Sequence, residues 1–204
     1  MSAVADSFHA LVHDRRSIRR FKDTPVSEAV IKRVLEAGIQ APSAHNRQPW
    51  RFVVLRAPEA TESLARKMGA RLRADLEKDG LEPAAIEKDV SRSYARITGA
   101  PAAVVICMDE ATLDEYPDEE RSRAEFLMGV QGVAMAGENI LLAAHAEGLG
   151  GCWICAPLFV PELVQEELGL LPGWIPLGLI LLGYPVGTGR IRGRKPLEEV
   201  TLWK

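Results

Sequence analysis

Three segments of the sequence concentrate side chains that could bind a small anionic ligand, and the first comprises residues 15–21. This segment places guanidinium groups and a hydroxyl next to one another, and guanidinium groups bind phosphate through paired hydrogen bonds. The candidate binding residues are Arg15, Arg16, Ser17 and Arg19. Taken alone, the segment could also be the solvated basic end of a helix, where the helix dipole favours positive charge.

The second segment, residues 42–50, combines two prolines with several polar side chains. The prolines restrict the backbone of a loop, and the polar side chains supply hydrogen-bond donors and acceptors. Such a loop can hold a hydroxylated chain and the polar edge of a ring system. The candidate binding residues are Pro42, Ser43, Asn46 and Gln48. A well-capped connection into the strand that starts at Trp50 would use the same residues.

The third segment, residues 190–197, contains four basic side chains. Arg192 and Arg194 are two residues apart, so in an extended segment their side chains lie on one side. Both could therefore bind the same phosphate. A basic, solvated tail is the alternative interpretation.

Length and composition favour a single domain that binds a small anion. The chain has 204 residues, of which 47% are hydrophobic, and we expect one domain spanning residues 1–204. Its net charge of −3 and its aromatic content of 6% argue against nucleic-acid binding. Basic side chains confined to two tight clusters in an acidic chain instead favour a small anionic ligand.

The sequence is typical of a cytoplasmic protein that does not bind membranes. Three cysteines, an odd number, fit a reduced compartment better than a disulfide framework. Residues 1–16 contain no apolar core of signal-peptide length. Residues 126–149 are mostly apolar, but Gln131, Glu138 and Asn139 interrupt them. We therefore expect a long buried helix there and not a membrane span.

Hydrophobic periodicity predicts a mixture of helices and strands of the α+β class. The predicted helices cover residues 6–16, a segment that starts after the N-cap Ser27, residues 59–98 with a break at Gly80 and Pro83, residues 121–147, and residues 161–168. The predicted strands cover residues 50–55, 102–108, 150–154 and 175–182.

The three segments together, in this order along the whole chain, resemble the nitroreductase family. That family has an Arg-Arg-Ser near the N-terminus, then a Pro-Ser-x-x-Asn-x-Gln-Pro-Trp loop, and a Lys/Arg-x-Arg-x-Pro-Leu segment near the C-terminus. The resemblance implies an α+β sandwich with a central mixed sheet flanked by helices. It also implies an intertwined homodimer that binds FMN at its interface, and thus an FMN-dependent oxidoreductase.

The resemblance also implies roles for the candidate residues. Arg15, Arg16, Ser17 and Arg19 would contact the FMN phosphate and the pyrimidine side of the ring. Pro42, Ser43, Asn46 and Gln48 would come from the partner subunit. Gly150 and Gly151 would lie close to the isoalloxazine, and Arg192 and Arg194 would complete the phosphate site. Hydride transfer by a flavin needs no side-chain acid or base, so no catalytic residue and no metal ligand is assigned.

A finer resemblance concerns the substrates. Residues 68–80, 100–102, 116–125 and 148–154 are similar to the nitroreductase-like C-terminal half of the bifunctional enzyme that completes biosynthesis of the deazaflavin coenzyme F-420. This implies hydride transfer from a reduced donor to the dehydro precursor of that coenzyme. The alternatives are a general NAD(P)H-dependent nitro or quinone reductase and a flavin-binding protein without turnover.

Two further patterns in the sequence have a functional and a plain structural interpretation. Cys152 and Cys155 have the spacing of a thiol redox motif, but they fall on a predicted strand, which would point them to opposite faces. Small residues of the long helix, Gly129, Gly132, Ala136 and Gly137, could allow close backbone packing at a dimer axis. An ordinary core helix would use the same small residues.

Overall fold

The computed structural model describes residues 2–204, which form helices on both sides of a four-stranded sheet. The helices are α1 (Ala3–Asp14), α2 (Glu28–Gly38), α3 (Pro58–Lys78), α4 (Pro83–Thr98), α5 (Glu119–Ala146), α6 (Pro161–Leu168) and α7 (Leu197–Val200). The strands are β1 (Trp50–Leu55), β2 (Ala102–Asp109), β3 (Gly150–Ile154) and β4 (Trp174–Gly183). The α+β class and the sandwich arrangement predicted from the sequence are confirmed.

The four strands have the order β1-β2-β4-β3 and pair antiparallel throughout. The central mixed sheet that the family resemblance implies is not observed, because among residues 2–204 parallel pairing is limited to one isolated bridge between Ser17 and Gly151. The connections explain the difference. Two antiparallel helices, α3 and α4, link β1 to β2, so the chain re-enters the sheet from the end at which it left and β2 runs opposite to β1.

Alternate side chains of β2 belong to two different cores. Val104, Ile106 and Met108 pack with α2 and α5 on one face of the sheet. Ala103 and Val105 pack with α3 and α6 on the other face. Because both faces are covered, the strand reads as a continuous apolar run and shows no alternation in the sequence.

Helix α5 is long and apolar enough, by length and composition alone, to cross a membrane. Its side chains Val133, Ile140 and Ala144 are fully buried within the core formed with the sheet. Nine of the 28 residues of α5 are buried, while Leu127 and Met135 are 49% and 40% exposed. The helix is therefore a core helix along one face, and the predicted burial is confirmed for that face.

The glycines of α5 make room for side chains of the same chain. A Cβ atom at Gly129 would lie 2.6 Å from Met108 Sδ, and one at Gly137 would lie 2.1 Å from Trp153 Cζ3. At Gly132 the nearest atoms would belong to Ser43 and Pro49. Packing within the chain thus explains Gly129 and Gly137, whereas a Cβ atom at Gly132 would make only ordinary contacts at 3.4 Å. The dimer-axis interpretation of these small residues stays a prediction.

Local helix and turn features were predicted correctly at several points. The Ser27 hydroxyl accepts a hydrogen bond from Val30 N and caps α2. Gly80, in the break between α3 and α4, has φ +75°, and Gly148, just after α5, has φ +74°. Both positions require the left-handed backbone that glycine adopts without strain. Helix α1 differs from the prediction, because it begins at Ala3 with Ser2 as its cap.

Candidate functional site

A cavity of about 920 Å³ near the N-terminal segment is lined mainly by arginines. Its volume falls in the range of about 300–1,000 Å³ that is usual for ligand pockets. The arginines that line it are Arg15, Arg16, Arg19, Arg20, Arg92, Arg96, Arg190, Arg192 and Arg194. Ser17 also lines the cavity, so the first and third candidate segments meet there. We call this space the arginine cavity.

Backbone pairing brings the two ends of the chain to the arginine cavity. Ile18 N donates to Gly151 O at 2.9 Å, which fixes the N-terminal segment along the edge strand β3. After β4, Lys22 N donates to Tyr184 O at 2.8 Å and Val186 N donates to Arg20 O at 3.0 Å. The C-terminal tail therefore leaves the sheet beside the N-terminal segment, and both contribute arginines to one space.

The positive charge of the arginine cavity is largely uncompensated by the protein. No aspartate or glutamate lies among the residues that line it. Two of the arginines are paired with carboxylates outside the lining. Arg15 Nε lies 3.4 Å from Glu138 Oε1, and Arg92 Nη2 lies 2.7 Å from Asp89 Oδ1. We call Arg190, Arg192 and Arg194 the tail arginines. Within residues 2–204, neither these three nor Arg19 and Arg96 make an ion pair. Clustered like charges repel one another, so the cavity is suited to bind an anion with several acceptor oxygens.

A second, mostly apolar cavity of about 510 Å³ adjoins the arginine cavity and shares Arg15, Arg16 and Ile18 with it. Gly150 and Gly151 of β3 form part of its wall, together with Leu141 and His145 of α5. We call this space the glycine cavity. The pair of cavities suits a ligand with an apolar ring at one end and a phosphate at the other.

The glycines of β3 are required by packing within the chain. A Cβ atom at Gly150 would lie 2.6 Å from Ile18 Cβ, and one at Gly151 would lie 2.8 Å from Leu141 Cδ2. Any larger residue would push the N-terminal segment or α5 away from β3. The family resemblance implies that these glycines lie close to a ring; in the structure they allow the N-terminal segment and α5 to pack against β3.

The second candidate segment forms a strained loop at a different place. His45, Asn46 and Gln48 have φ of 49°, 53° and 53°, a left-handed conformation that non-glycine residues rarely adopt. The Ser43 hydroxyl accepts a hydrogen bond from Gln48 N at 2.9 Å and holds the loop in this shape. Backbone strain of this kind costs about 1–3 kcal/mol per residue and is concentrated at functional sites.

The loop does not line the arginine cavity or the glycine cavity of its own chain. Along α5, Ser43 lies against Gly132, whereas Arg15 lies near Glu138, six residues further on. At about 1.5 Å per residue, these positions are roughly 9 Å apart along the helix. Pro42, Ser43, Asn46 and Gln48 are thus separated from the other candidate residues within one chain.

Some residues at these cavities were not selected from the sequence. They are Arg20, Arg92, Arg96, Arg190 and His145. Arg92 and Arg96 are four residues apart and share a face of α4, which is the one pattern that could have identified them. That spacing is common on solvated helices, and nothing in the local sequence connects α4 with the N-terminal segment.

The cysteines do not form a reactive thiol pair. Cys152 is buried in β3, and its burial raises the pKa of the thiol although Arg19 and Arg96 oppose the shift. Cys155 follows the strand and is exposed. Burial also raises the pKa of Cys107, to about 12. A thiol redox centre requires a lowered pKa at an accessible cysteine, so the buried thiols are better explained as core residues.

Comparisons with known proteins agree on one family. A model described as the nitroreductase family matches residues 12–184. A protein of Thermus thermophilus named NADH dehydrogenase is 30% identical in an alignment of 214 positions, gaps included, that covers 93% of this chain and 92% of the relative. A protein of Methanothermobacter thermautotrophicus, provisionally named NADH dehydrogenase/NAD(P)H nitroreductase, is 31% identical over 85% of this chain and 75% of the relative. A solved structure from Desulfovibrio desulfuricans, provisionally described as a nitroreductase in complex with FMN, is 27% identical over 100% of this chain and 98% of that one, with a TM-score of 0.74.

Proposed function

The chain belongs to the nitroreductase family and is an FMN-dependent oxidoreductase, and we propose that it transfers hydride from NAD(P)H to a small nitro or quinone acceptor. The observation that carries this proposal is the pairing of the arginine cavity with the apolar glycine cavity. FMN has the matching shape, with a flat ring at one end and a phosphate at the other. The phosphate carries about −1.5 to −2 charges at pH 7.

In this proposal Arg19, Arg192 and Arg194 bind the FMN phosphate, with the Ser17 hydroxyl as an additional donor. Arg192 and Arg194 are exposed, and neither makes an ion pair within residues 2–204. The guanidinium of Arg194 donates only long hydrogen bonds within its own tail, to Arg192 O at 3.3 Å and Gly193 O at 3.4 Å. Arg16 is committed to its own segment, because its guanidinium donates to His13 O and Arg15 O. Arg16 therefore shapes the N-terminal segment, and its charge adds to the field that attracts the phosphate.

The isoalloxazine occupies the glycine cavity in this proposal. Gly150 and Gly151 belong to its wall, and Arg15 and Arg16 lie on the side shared with the arginine cavity. Positive charge near the ring stabilises the anionic reduced flavin. FMN, when bound, supplies the hydride chemistry, so the protein's tasks are to bind, orient and electrostatically tune it. No side-chain acid or base is needed for this transfer.

We propose further that the active unit is a homodimer of single-domain subunits in the cytoplasm. Exposed apolar side chains at both ends of the chain support this: Phe8 is 55% exposed, Ile191 85% and Trp203 82%. Helix α1 contains no buried residue. Exposed apolar surface of this extent is typical of an interface. A two-fold axis that carries the loop of residues 42–48 to the partner's cavities would also explain the strain in that loop.

Subunit complementation tests the shared site. One variant carries Asn46→Gly and Gln48→Gly, which remove loop side chains while permitting the observed positive φ. The other carries Arg192→Ala and Arg194→Ala. Co-expressed with different tags and purified as the heterodimer, they should bind about one FMN per dimer, because one site is intact and the other carries both defects.

Both parent homodimers serve as controls and should bind little FMN. A heterodimer that is as empty as its parents would mean that the loop acts on the cavities of its own chain. The proposal of a site shared between subunits would then fail, while the conclusion that the protein is an FMN-dependent oxidoreductase would stand.

The choice of acceptor is tested by absorption spectroscopy. We expect a yellow protein whose flavin band is bleached anaerobically by NADH or NADPH and restored by a nitroarene or a quinone. The names of the relatives favour the reduced nicotinamides and the nitroarene. Neither the family match nor those names support the deazaflavin precursor as the acceptor. The precursor is tested as a third acceptor in the same experiment.

Reoxidation by the deazaflavin precursor alone would replace the general reductase with the biosynthetic enzyme. A flavin that no reduced nicotinamide bleaches would favour a flavin-binding protein without turnover. Steady-state oxidation of NADH or NADPH, with the acceptor omitted as the control, separates these outcomes.

A further inference from the structure

The arginine cavity holds more positive charge than one FMN phosphate requires. A phosphate monoester carries at most two negative charges, and the tail arginines with Arg19 suffice to bind it. Arg92 and Arg96 approach the cavity from a separate element, helix α4. No acidic side chain lines the cavity, and of the two only Arg92 is paired, with Asp89 outside the lining, so Arg96 and the remaining donors of Arg92 are available to a second anion.

The two arginines of α4 are arranged as a pair. They are four residues apart, so their side chains leave the same face of the helix about one turn from each other. Ala95 also lines the cavity, which shows that this face of α4 is turned toward it. The opposite face is anchored by the buried Ile86 and Ile97. The pair is thus held on a rigid support and does not depend on the tail.

Contacts within the chain leave most of the donors of this pair free. Arg92 donates one hydrogen bond to Asp89 at 2.7 Å, which orients its guanidinium without neutralising Arg96. Arg96 is partly buried and makes no ion pair within residues 2–204. Its positive charge also opposes the rise in the pKa of the Cys152 thiol that burial causes. Two guanidinium groups one turn apart are well suited to a phosphate, which accepts several charged hydrogen bonds.

We propose that Arg92 and Arg96 bind a second phosphate monoester, carried by one of the reactants, while FMN occupies its own phosphate site. This inference rests on the proposed NAD(P)H-dependent function. The phosphate could be the 2′-phosphate of NADPH, which NADH lacks, or a phosphate on the acceptor. Both sources present the same dianion to the same two side chains, so the experiment must distinguish them.

The test compares wild type with the Arg92→Gln, Arg96→Gln variant, both saturated with FMN. If NADPH is the source, the variant should show a KM for NADPH raised about 10- to 100-fold, the effect of losing about one charged hydrogen bond. Its KM for NADH and its Kd for FMN should change less than about twofold. Lys88→Gln is the matched control, because it removes a cation from the same helix outside the cavity.

A second measurement identifies the acceptor as the source. Inorganic phosphate is titrated into the FMN-saturated proteins by calorimetry. Wild-type binding that is absent from the double variant, with equal use of NADH and NADPH, assigns the phosphate to the acceptor. A wild type that neither prefers NADPH nor binds phosphate overturns the inference.

The inference of a second phosphate site is also overturned if the Arg92→Gln, Arg96→Gln variant loses as much FMN affinity as the Arg192→Ala, Arg194→Ala protein. In that case Arg92 and Arg96 belong to the FMN site. Wild-type oxidation of NADH reports on the proposed function independently, so failure of the second phosphate site leaves that function standing.

Discussion

In the Arg192→Ala, Arg194→Ala protein, the Kd for FMN is expected to rise on the order of 100- to 10,000-fold. Each charged hydrogen bond contributes about 1.5–3 kcal/mol, and a tenfold change in Kd corresponds to about 1.4 kcal/mol. Both side chains line the arginine cavity, and neither is paired with a carboxylate within residues 2–204. Their removal therefore takes away donors from the proposed phosphate site without leaving a buried charge unpaired.

Stability should hardly change in the same protein. Residues 186–200 are exposed, and substitutions at such positions usually alter the free energy of unfolding by less than about 0.5 kcal/mol. FMN affinity is measured by quenching of flavin fluorescence, and apoprotein stability by thermal unfolding.

A control with the same chemistry is the Arg66→Ala, Arg71→Ala protein, altered on the solvent side of α3. It removes two cations from the chain and should bind FMN as wild type does. If both double variants bind FMN equally well, the tail arginines do not contact the phosphate. If both lose affinity, a general loss of positive charge explains the effect.

The second large effect concerns the packing that supports the glycine cavity. Gly137→Ala should lower the free energy of unfolding by about 1–3 kcal/mol, the usual cost of overpacking a core. Trp153 is wedged between α5 and β4: the Cβ atom would meet its Cζ3 at 2.1 Å, and on the other edge a Cβ atom at Gly178 would meet its Cε2 at 2.6 Å. The indole therefore has little room to yield.

FMN affinity should fall together with stability. Trp153 belongs to β3, the strand that supplies Gly150 and Gly151 to the glycine cavity. Displacing the indole displaces that strand, and with it the backbone partner of the N-terminal segment. Urea denaturation gives the change in stability, and fluorescence titration gives the change in affinity.

Gly69→Ala is the matched control, because the new Cβ atom would lie 3.5 Å from Val90 Cγ1, an ordinary contact. In the interior of α3 this change should stabilise the protein by about 0.5–1 kcal/mol. A second check is the Trp153→Phe background, in which Gly137→Ala should cost less than it does in wild type. Equal costs in the two backgrounds would show that the indole is not the cause.

Local sequence patterns were sufficient to predict most of the helices and strands. The predicted segment 161–168 coincides with α6, and 150–154 coincides with β3. Proline, glycine and capping residues mark these boundaries, and their effects depend on neighbours a few residues away. The three arginine- and proline-containing segments were recognised for the same reason, since each is a short run of informative residue types.

The direction of the strands and the reasons for the glycines could not be obtained in this way. Strand β2 runs antiparallel to β1 because two helices, and not one, connect them. Hydrophobic periodicity predicts the elements but not the direction in which the chain returns to the sheet. The role of Gly137 depends on Trp153 and Gly178, which are distant in sequence. A glycine in a helix looks the same whether it faces a tryptophan of its own chain or a second subunit.

The sequence by itself determined the family, the cofactor class and two of the segments that meet in the arginine cavity, because these rest on short motifs in a recognisable order. Tertiary structure alone decided where those segments meet. Hydrogen bonds of residues 18–22 with Gly151 and with the chain after β4 bring the two ends of the protein together. The same packing places Arg92 and Arg96 beside them, since contacts between distant parts of a chain depend on how its layers assemble and leave no local pattern.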